Sequence, residues 1–382
     1  RYDLRHPVVN DTDYLVARAY GMRAWPTLIV IDPAGRVLGR LEGEKNVPVL
    51  LQVIDKMLVE HAAILDTAPV KLKLESRSRP DSMLNGPSKI AVSDRYVAIS
   101  DSLNHRVVLA DHEGRVIRYL GGKGRNLFRH PQGLAFGEEG LYVADTGNHR
   151  LRLVRLPSGD VSTIAGTGKN DAIHRAGTFD ALKVDLRSPW GLAINGRWLY
   201  VAMAGSHQIW RYDRDEKNIE VYAGNSREGM DDGKLEAATF SQPSGLAFIG
   251  DKLFVADAED SAVRQIDTST GKVSTLIGKG LFDFGDIDGN FDKALLQHLT
   301  DIASDGRFLY IADTYNHKIK RLDLEKESVQ TLLGSGLPDD GSRDTLTRLN
   351  EPSGLAVFGE GLIISDTNNH RLLYFSHSDG AR

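Results

Sequence analysis

Histidine and aspartate recur along this sequence in similar local contexts, and both residue types could do chemistry. Imidazole and carboxylate groups can hold a metal ion or act as general acids and bases. Recurrence in separate copies of a repeat argues against one convergent site, because symmetry keeps equivalent side chains well apart. We therefore expect both sets to stabilise turns and strand contacts. The histidines are His105, His149, His207, His317 and His370, and the aspartates are Asp101, Asp145, Asp257, Asp313 and Asp366.

A further acidic segment is similar to a cation site. Asp286, Asp288 and Asn290 resemble the start of a calcium-binding loop. The EF-hand places a bidentate glutamate at the twelfth position of that loop, and this sequence has Gln297 there. We therefore interpret the segment as a turn, and we expect neither a metal nor another cofactor in this chain.

Composition narrows the functional classes. The chain has 382 residues, no cysteine and a formal net charge of −5 at pH 7. Without cysteine it has no disulfide, no thiolate nucleophile and no cysteine metal site. No apolar run approaches the ~20 residues that span a bilayer, so no membrane span is expected. The net negative charge gives no general attraction to phosphate backbones, so nucleic acid is not an expected partner.

The recurring residues belong to a repeat with constant internal spacing. One copy begins with Pro131-Gln132-Gly133-Leu134-Ala135 and continues, after a short turn, with Leu141-Tyr142-Val143-Ala144-Asp145. In all six copies the proline position and the aspartate position are 14 residues apart, although individual residues differ. The six pairs are Pro87 and Asp101, Pro131 and Asp145, Pro189 and Met203, Pro243 and Asp257, Leu299 and Asp313, and Pro352 and Asp366.

The copies have the composition of short strands. The segments after the proline and before the aspartate are apolar and rich in β-branched and aromatic residues. Two more strands follow in each copy, for example residues 151–156 and 161–166. Four antiparallel strands make one propeller blade, and six blades must stack around an axis because no blade can bury its own two faces. The sequence therefore predicts a mainly β fold with a six-bladed β-propeller, whose blades we number 1 to 6 in chain order.

The repeat resembles a known family. Asn148-His149-Arg150-Leu151 and Asn369-His370-Arg371-Leu372, preceded by Pro-x-Gly-Leu-Ala and Val-Ala-Asp-Thr segments, are similar to the NHL repeat, which is named for Asn-His-Leu. Blade 3 lacks the aspartate, blade 4 lacks the histidine, and blade 5 lacks the proline and the glycine. The resemblance implies a propeller in which the recurring histidine and aspartate are structural.

Residues 1–63 do not repeat. They predict a helix from Asp13, a strand from Trp25, a turn and second strand from Pro33, and a closing helix from Val47. This order resembles the second half of a thioredoxin-like domain, in which Pro26 would be the cis-proline that faces the redox site. A thioredoxin-like domain followed by NHL blades resembles the family of NHL-repeat-containing protein 2, here as a bacterial member.

The rest of the chain divides into a linker, residues 64–83, and the propeller, residues 84–382. No fourth strand is recognisable after Phe375 in blade 6, whereas residues 70–75 alternate between apolar and polar side chains without a blade of their own. We therefore expect strand 70–75 to form the outer edge of blade 6 and to close the ring, because an open edge would otherwise remain.

A recognition surface is expected where the inter-blade loops lead into the inner strands. These loops open near the ring axis, so their side chains face a shared space. A protein or peptide partner is expected there, and a small-molecule ligand is also compatible. The candidate residues are Arg129, His130, Arg187, Trp190, Gln242, Gln297, His298 and Glu351.

Three functions remain open. The first is a protein- or ligand-binding scaffold, because the residues give no convergent catalytic set and no enzymatic activity is expected of this chain. The second is a thiol–disulfide oxidoreductase whose cysteine motif lies outside this sequence. The third is a propeller hydrolase or lyase with a metal in the channel, which needs ionisable ligands on inner strands that read as apolar. The compartment is left open, with a cytoplasmic location favoured.

Overall fold

A computed structural model describes residues 8, 11, 15–23, 26–43, 46–66, 68, 82–122, 124, 127–338, 347–378 and 380–381. The chain forms two compact units, Arg1–Asp81 and Ser82–Arg382. Over the described residues the fold is mainly β, with two α-helices in the first unit. Neither of these helices is both long and apolar enough to cross a membrane.

The first unit contains a helix, a hairpin and a second helix. Strands β1 and β2 pair antiparallel, and Asp32 holds the turn between them because its Oδ1 accepts the backbone N–H groups of Ala34 and Arg36. Pro26 lies just before β1, but Trp25 and the peptide bond that joins them lie outside the described residues. The elements are α1 Leu15–Ala19, β1 Thr27–Ile31, β2 Val37–Glu42 and α2 Val47–Glu60.

The second unit is a propeller of six antiparallel sheets, as the repeat predicted. In each blade the four main strands lie in chain order from the inside to the outside. Among the described residues, blades 1, 2 and 6 have these four strands alone. Blade 1 contains β3 Pro87–Val92, β4 Val97–Asp101, β5 Arg106–Ala110 and β6 Val116–Gly121; blade 2 contains β7 Leu134–Gly137, β8 Gly140–Asp145, β9 Arg150–Val154 and β10 Val161–Ala165.

Blades 3, 4 and 5 each carry a fifth strand that the sequence analysis did not predict. The loop before each of these blades reaches around and pairs with its fourth strand, which covers an otherwise open sheet edge. These added strands are two or three residues long, too short for a sequence signal. They are β11 Thr178–Asp180 in blade 3, β16 Gly233–Lys234 in blade 4 and β21 Gly289–Asn290 in blade 5.

The four main strands of blades 3 to 5 follow the common pattern. They are β12 Pro189–Asn195, β13 Trp198–Met203, β14 Gln208–Asp213 and β15 Asn218–Ala223; β17 Pro243–Ile249, β18 Lys252–Asp257, β19 Ala262–Asp267 and β20 Lys272–Ile277; and β22 Asp301–Ser304, β23 Phe308–Asp313, β24 Lys318–Asp323 and β25 Ser328–Leu333.

Blade 6 ends differently from our expectation. The sequence showed no strand after Phe375, yet a two-residue strand pairs with Phe375 and Ser376. Strand 70–75, predicted to fill this edge, lies outside the described residues. The ring is joined by Ser82, whose hydroxyl donates to the His370 carbonyl over 2.9 Å. The strands of blade 6 are β26 Gly354–Phe358, β27 Gly361–Asp366, β28 Arg371–Ser376 and β29 Gly380–Ala381.

Hydrophobic side chains from neighbouring blades interlock into a series of buried clusters around the ring. In blades 2, 3, 4 and 6 the inner strand lies so close to its neighbour that glycine is required in the Pro-x-Gly segment. A Cβ on Gly133 would lie 2.1 Å from the Trp190 carbonyl oxygen, and one on Gly354 would lie 1.9 Å from that of Ser88. The repeat thus brings the starts of its inner strands into a tight circle around a central channel.

Candidate binding face of the propeller

One face of the ring is built from two kinds of loop. The second strand of five blades leads into a single 3₁₀ turn, and in all six blades a residue in the left-handed backbone region follows. The inter-blade loops meet the inner strands on the same face. The left-handed residues are His105, His149, His207, Ser261, His317 and His370, with φ of 54°, 53°, 55°, 50°, 53° and 55°.

These six residues bond each blade to the next. In every case the side chain accepts a hydrogen bond from the backbone N–H of the residue that precedes the next proline position. Blade 4 uses Ser261 Oγ where the other blades use histidine Nδ1. The bonds run from His130 to His105 (3.1 Å), Ser188 to His149 (3.2 Å), Gln242 to His207 (3.2 Å), His298 to Ser261 (3.0 Å), Glu351 to His317 (3.0 Å) and Gly86 to His370 (2.9 Å).

The bonds explain why the histidines recur. An Nδ1 that accepts a hydrogen bond carries no proton, so the proton of the neutral ring is on Nε2. Burial lowers the pKa of His105, His149, His207 and His317, which favours this neutral form. The side chains of the recurring histidines therefore link neighbouring blades by hydrogen bonds. In the described part of the chain, no group of three or more His, Asp or Glu residues is arranged to hold a metal.

The recurring aspartates hold the loop that enters each blade. Asp145 shows the pattern: its Oδ1 accepts the backbone N–H of Arg129 over 2.8 Å, and its Oδ2 lies 3.0 Å from Nε of Arg152. Blades 1, 4, 5 and 6 repeat both contacts with other basic residues. Blade 3 lacks the aspartate, and Met203 and Trp210 occupy the two charged positions as buried apolar side chains.

The segment that resembles a calcium loop binds an ammonium group of the protein itself. Lys320 Nζ lies 2.8 Å from Asp286, 3.1 Å from Asp288 and 3.3 Å from Asp313. Its side chain is fully buried, and the attraction of these carboxylates raises its pKa against the opposing effect of burial. The carboxylates of this loop therefore serve an internal ion cluster that fixes the blade 5 loop.

All eight candidate binding residues lie beside the proline positions, so the topology places them on this one face, here called the binding face. His130, Gln242, His298 and Glu351 have left-handed backbones and donate their N–H groups to the preceding blade. Their side chains are left at the surface. Arg129 and Gln242 are exposed, and His130, Arg187, Trp190, Gln297, His298 and Glu351 are half-buried.

The face carries opposite charges on different blades. Arg129 lies in the loop that enters blade 2 and Arg187 in the loop that enters blade 3. Burial lowers the pKa of His149, and both arginines lower it further. In the next blade, burial lowers the pKa of His207, whereas the negative charges of Glu228 and Asp260 act in the opposite direction. The acidic residues were missed by the sequence analysis because they come from a loop and a turn that are far apart in the chain.

The channel contains a charged pair that the sequence analysis did not anticipate. We expected the inner strands to be apolar, but Lys89 of blade 1 and Asp301 of blade 5 occupy the glycine position of the repeat. Their Nζ and Oδ1 atoms lie 2.6 Å apart, and both residues are buried. Asp301 Oδ2 also accepts the backbone N–H of Leu355 over 3.0 Å. The pair therefore joins the inner strands of blades 1 and 5 beside the inner strand of blade 6, which lies between them.

Comparison with known proteins identifies the repeat. The family model described as NHL repeat matches residues 128–152 and 349–375. A Bacteroides thetaiotaomicron structural genomics protein of unknown function has a similar fold, with a TM-score of 0.58 at 15% identity over 76% of this chain and 68% of that chain. At this identity the likeness establishes the propeller fold alone.

Two curated proteins are similar across the whole chain. Protein SUPPRESSOR OF QUENCHING 1, chloroplastic, of Arabidopsis thaliana is 36% identical over all of this chain and 39% of its own length. NHL repeat-containing protein 2 of Homo sapiens is 34% identical over 97% of this chain and 58% of its own length. This chain thus spans less than two thirds of either relative. It is a homologue of NHL repeat-containing protein 2 and contains NHL repeats.

Proposed function

We propose that the propeller is a protein-binding scaffold and that its binding face contacts the partner. The observation that carries this proposal is the arrangement of the eight candidate residues. The loops use backbone groups to bond neighbouring blades, while chemically varied side chains remain at the surface of the same face. A rigid framework that presents such side chains is suited to recognition, because little ordering is needed on binding.

The spread of these residues favours a peptide or protein over a small molecule. They come from blades 2 to 6 and are distributed around the ring rather than gathered in one pocket. The central cavity, with a volume of about 330 Å³, is lined by inner strands of all six blades and contains the Lys89–Asp301 pair. A partner that covers the loops can contact several blades at once, which a small ligand in the channel cannot do.

The proposal predicts that charge reversal on the binding face releases the partner. Arg129→Glu combined with Arg187→Glu is expected to lower partner recovery at least tenfold, because the two arginines lie in the loops that enter blades 2 and 3 on the binding face. The measurement is affinity capture with the full chain as bait, quantified by mass spectrometry. The matched control is Arg95→Glu with Arg155→Glu, two exposed arginines in strand-connecting turns on the opposite face. Equal loss in both variants contradicts the proposal.

A second candidate function is thiol–disulfide exchange, and the first unit supports it. The order α1, β1, β2, α2 resembles that of the second half of a thioredoxin-like domain. Helix α2 has no buried residue although Leu51, Leu58 and Val59 are apolar, as expected of a helix that packs on further layers of a larger domain. This sequence has no cysteine, so a Cys-x-x-Cys motif in the reading frame before Arg1 is the observation that would favour this function.

A further inference from the structure

The turn of blade 4 departs from the repeat in consecutive residues. Blades 1, 2, 5 and 6 have Asn-His, as in Asn148-His149, and the asparagine amide donates to the aspartate of its own blade. Blade 4 has Asp260-Ser261 instead. Ser261 keeps the inter-blade bond, but an ionised Asp260 has no proton to donate to Asp257. A local rule broken without a structural gain is typical of functional sites.

Asp260 is a buried acid with an unpaired oxygen. It is only 3% exposed, and its Oδ2 has no hydrogen-bond partner among the described residues. Arg264, a basic residue of the same blade, pairs with Asp257 and Asp232. Within the same described part of the chain, neither Asp260 nor Glu228 forms an ion pair with a basic residue of the protein.

Further carboxylates gather at the same place. The backbone N–H groups of Gly229 and Glu259 both donate to Ser241, over 3.1 and 3.0 Å, which brings the segments of Glu228 and Glu259 together. Burial, then Glu228, then Asp260 raise the pKa of Glu259. Glu259 lies 3.9 Å from Nδ1 of His298, but burial lowers the pKa of that imidazole to about 4. His298 is therefore neutral at pH 7 and does not offset the negative charge.

An aromatic surface borders the acids. The rings of His298 and Tyr315 stack at 4.3 Å with an interplanar angle of 12°. Tyr315 is half exposed, at 49%, so part of this stack faces solvent. A flat π surface beside carboxylates is the combination that binds an organic cation, by cation–π attraction on one side and hydrogen-bonded ion pairing on the other.

We infer that Glu228, Glu259 and Asp260, with the His298–Tyr315 stack, form a pocket for a basic side chain of the protein partner. We call it the acidic corner. An arginine fits better than a lysine, because its planar guanidinium stacks on aromatic rings and donates two parallel hydrogen bonds to a carboxylate. The inference rests on the proposed binding function and names the partner's chemistry at one part of that face. The basic residues Arg129 and Arg187 then orient the partner by requiring acidic groups on its other side.

The test uses a fluorescein-labelled peptide of alternating glycine and arginine, and the same peptide with citrulline in place of arginine. Fluorescence anisotropy with the full chain at low salt measures the dissociation constants. The arginine peptide is expected to bind at least tenfold more tightly than the citrulline peptide. Glu259→Gln is expected to weaken arginine-peptide binding about tenfold, whereas Glu113→Gln, an exposed glutamate on the opposite face, leaves it unchanged.

Asp260→Asn separates binding from folding, because it restores the asparagine that blades 1, 2, 5 and 6 have at this position. This variant is expected to unfold at the same temperature or a higher one and to bind the arginine peptide about tenfold more weakly. Equal peptide affinity in Glu259→Gln, Asp260→Asn and wild type overturns the inference, as does failure of the arginine peptide to bind. If partner capture still depends on Arg129 and Arg187 in that case, the acidic corner is refuted while the binding face stands.

Discussion

Replacement of Lys89 by methionine is expected to lower the free energy of unfolding by about 3–5 kcal/mol, because it leaves the buried Asp301 carboxylate without its cation. The two residues are only 4% and 7% exposed. Methionine keeps most of the aliphatic volume, so the loss reports the charge rather than a cavity. Urea unfolding of the wild type and the variant measures the difference.

The double variant Lys89→Gly with Asp301→Gly provides the internal control. It restores the glycine of the repeat at both positions and removes both buried charges at once. Its stability is expected to be closer to that of the wild type than the stability of Lys89→Gly or Asp301→Gly alone, with a coupling free energy of about 1–3 kcal/mol. Lys252→Met, at an exposed position of β18, should change stability by less than about 0.5 kcal/mol. Additive single losses would show that the pair is not coupled across the channel.

Replacement of Lys320 by methionine is expected to lower the free energy of unfolding as much as Lys89→Met does, by about 3–5 kcal/mol at pH 7. The ammonium contacts Asp286, Asp288 and Asp313, and its side chain is fully buried. A surface comparison is Lys326→Met, since Lys326 is 75% exposed and its pair with Asp323 spans 3.6 Å. That exposed pair should contribute no more than about 1 kcal/mol.

The difference in free energy of unfolding between the wild type and Lys320→Met is expected to grow as the pH rises. Burial already raises the pKa of Asp313 to about 6, even with Lys320 present. Without the cation this pKa rises further above the unfolded value, so the folded state holds a proton that the unfolded state has released. Stability is then lost as pH increases through the folded pKa. Urea unfolding at pH 5 and pH 8 should show the larger deficit at pH 8; a larger deficit at pH 5 contradicts the ion cluster.

The sequence was sufficient for the fold because the signal is a repeat. The spacing from Pro131 to Asp145 recurs in every blade, and the two positions lie on adjacent paired strands, as the register of Pro87 with Asp101 and of Pro243 with Asp257 shows. The structural role of His149 also followed from its recurrence. Strand β16 could not be predicted, because a two-residue strand is defined by the sheet edge it meets rather than by its own composition.

The charged features were hidden because they depend on ring closure. Lys89 and Asp301 are separated by 212 positions and meet only when blade 6 brings blades 1 and 5 together. The acidic corner likewise joins Glu228 of an inter-blade loop to Asp260 of a turn. Alignment of the six copies does carry a signal for both, since Lys89, Asp301 and Asp260 each replace a residue that most blades share. Departures from the repeat are thus as informative as the repeat.

The central claim is that a partner docks on the binding face, and hydrogen exchange of the complex tests it most directly. Mass spectrometry of the full chain with and without its captured partner gives amide protection by segment. We predict that protection appears in residues 127–131, 185–190, 240–243, 296–299 and 349–352, which lead into the inner strands. Protection confined to the turns of the opposite face, such as residues 93–96, 111–115 and 155–160, would contradict the account.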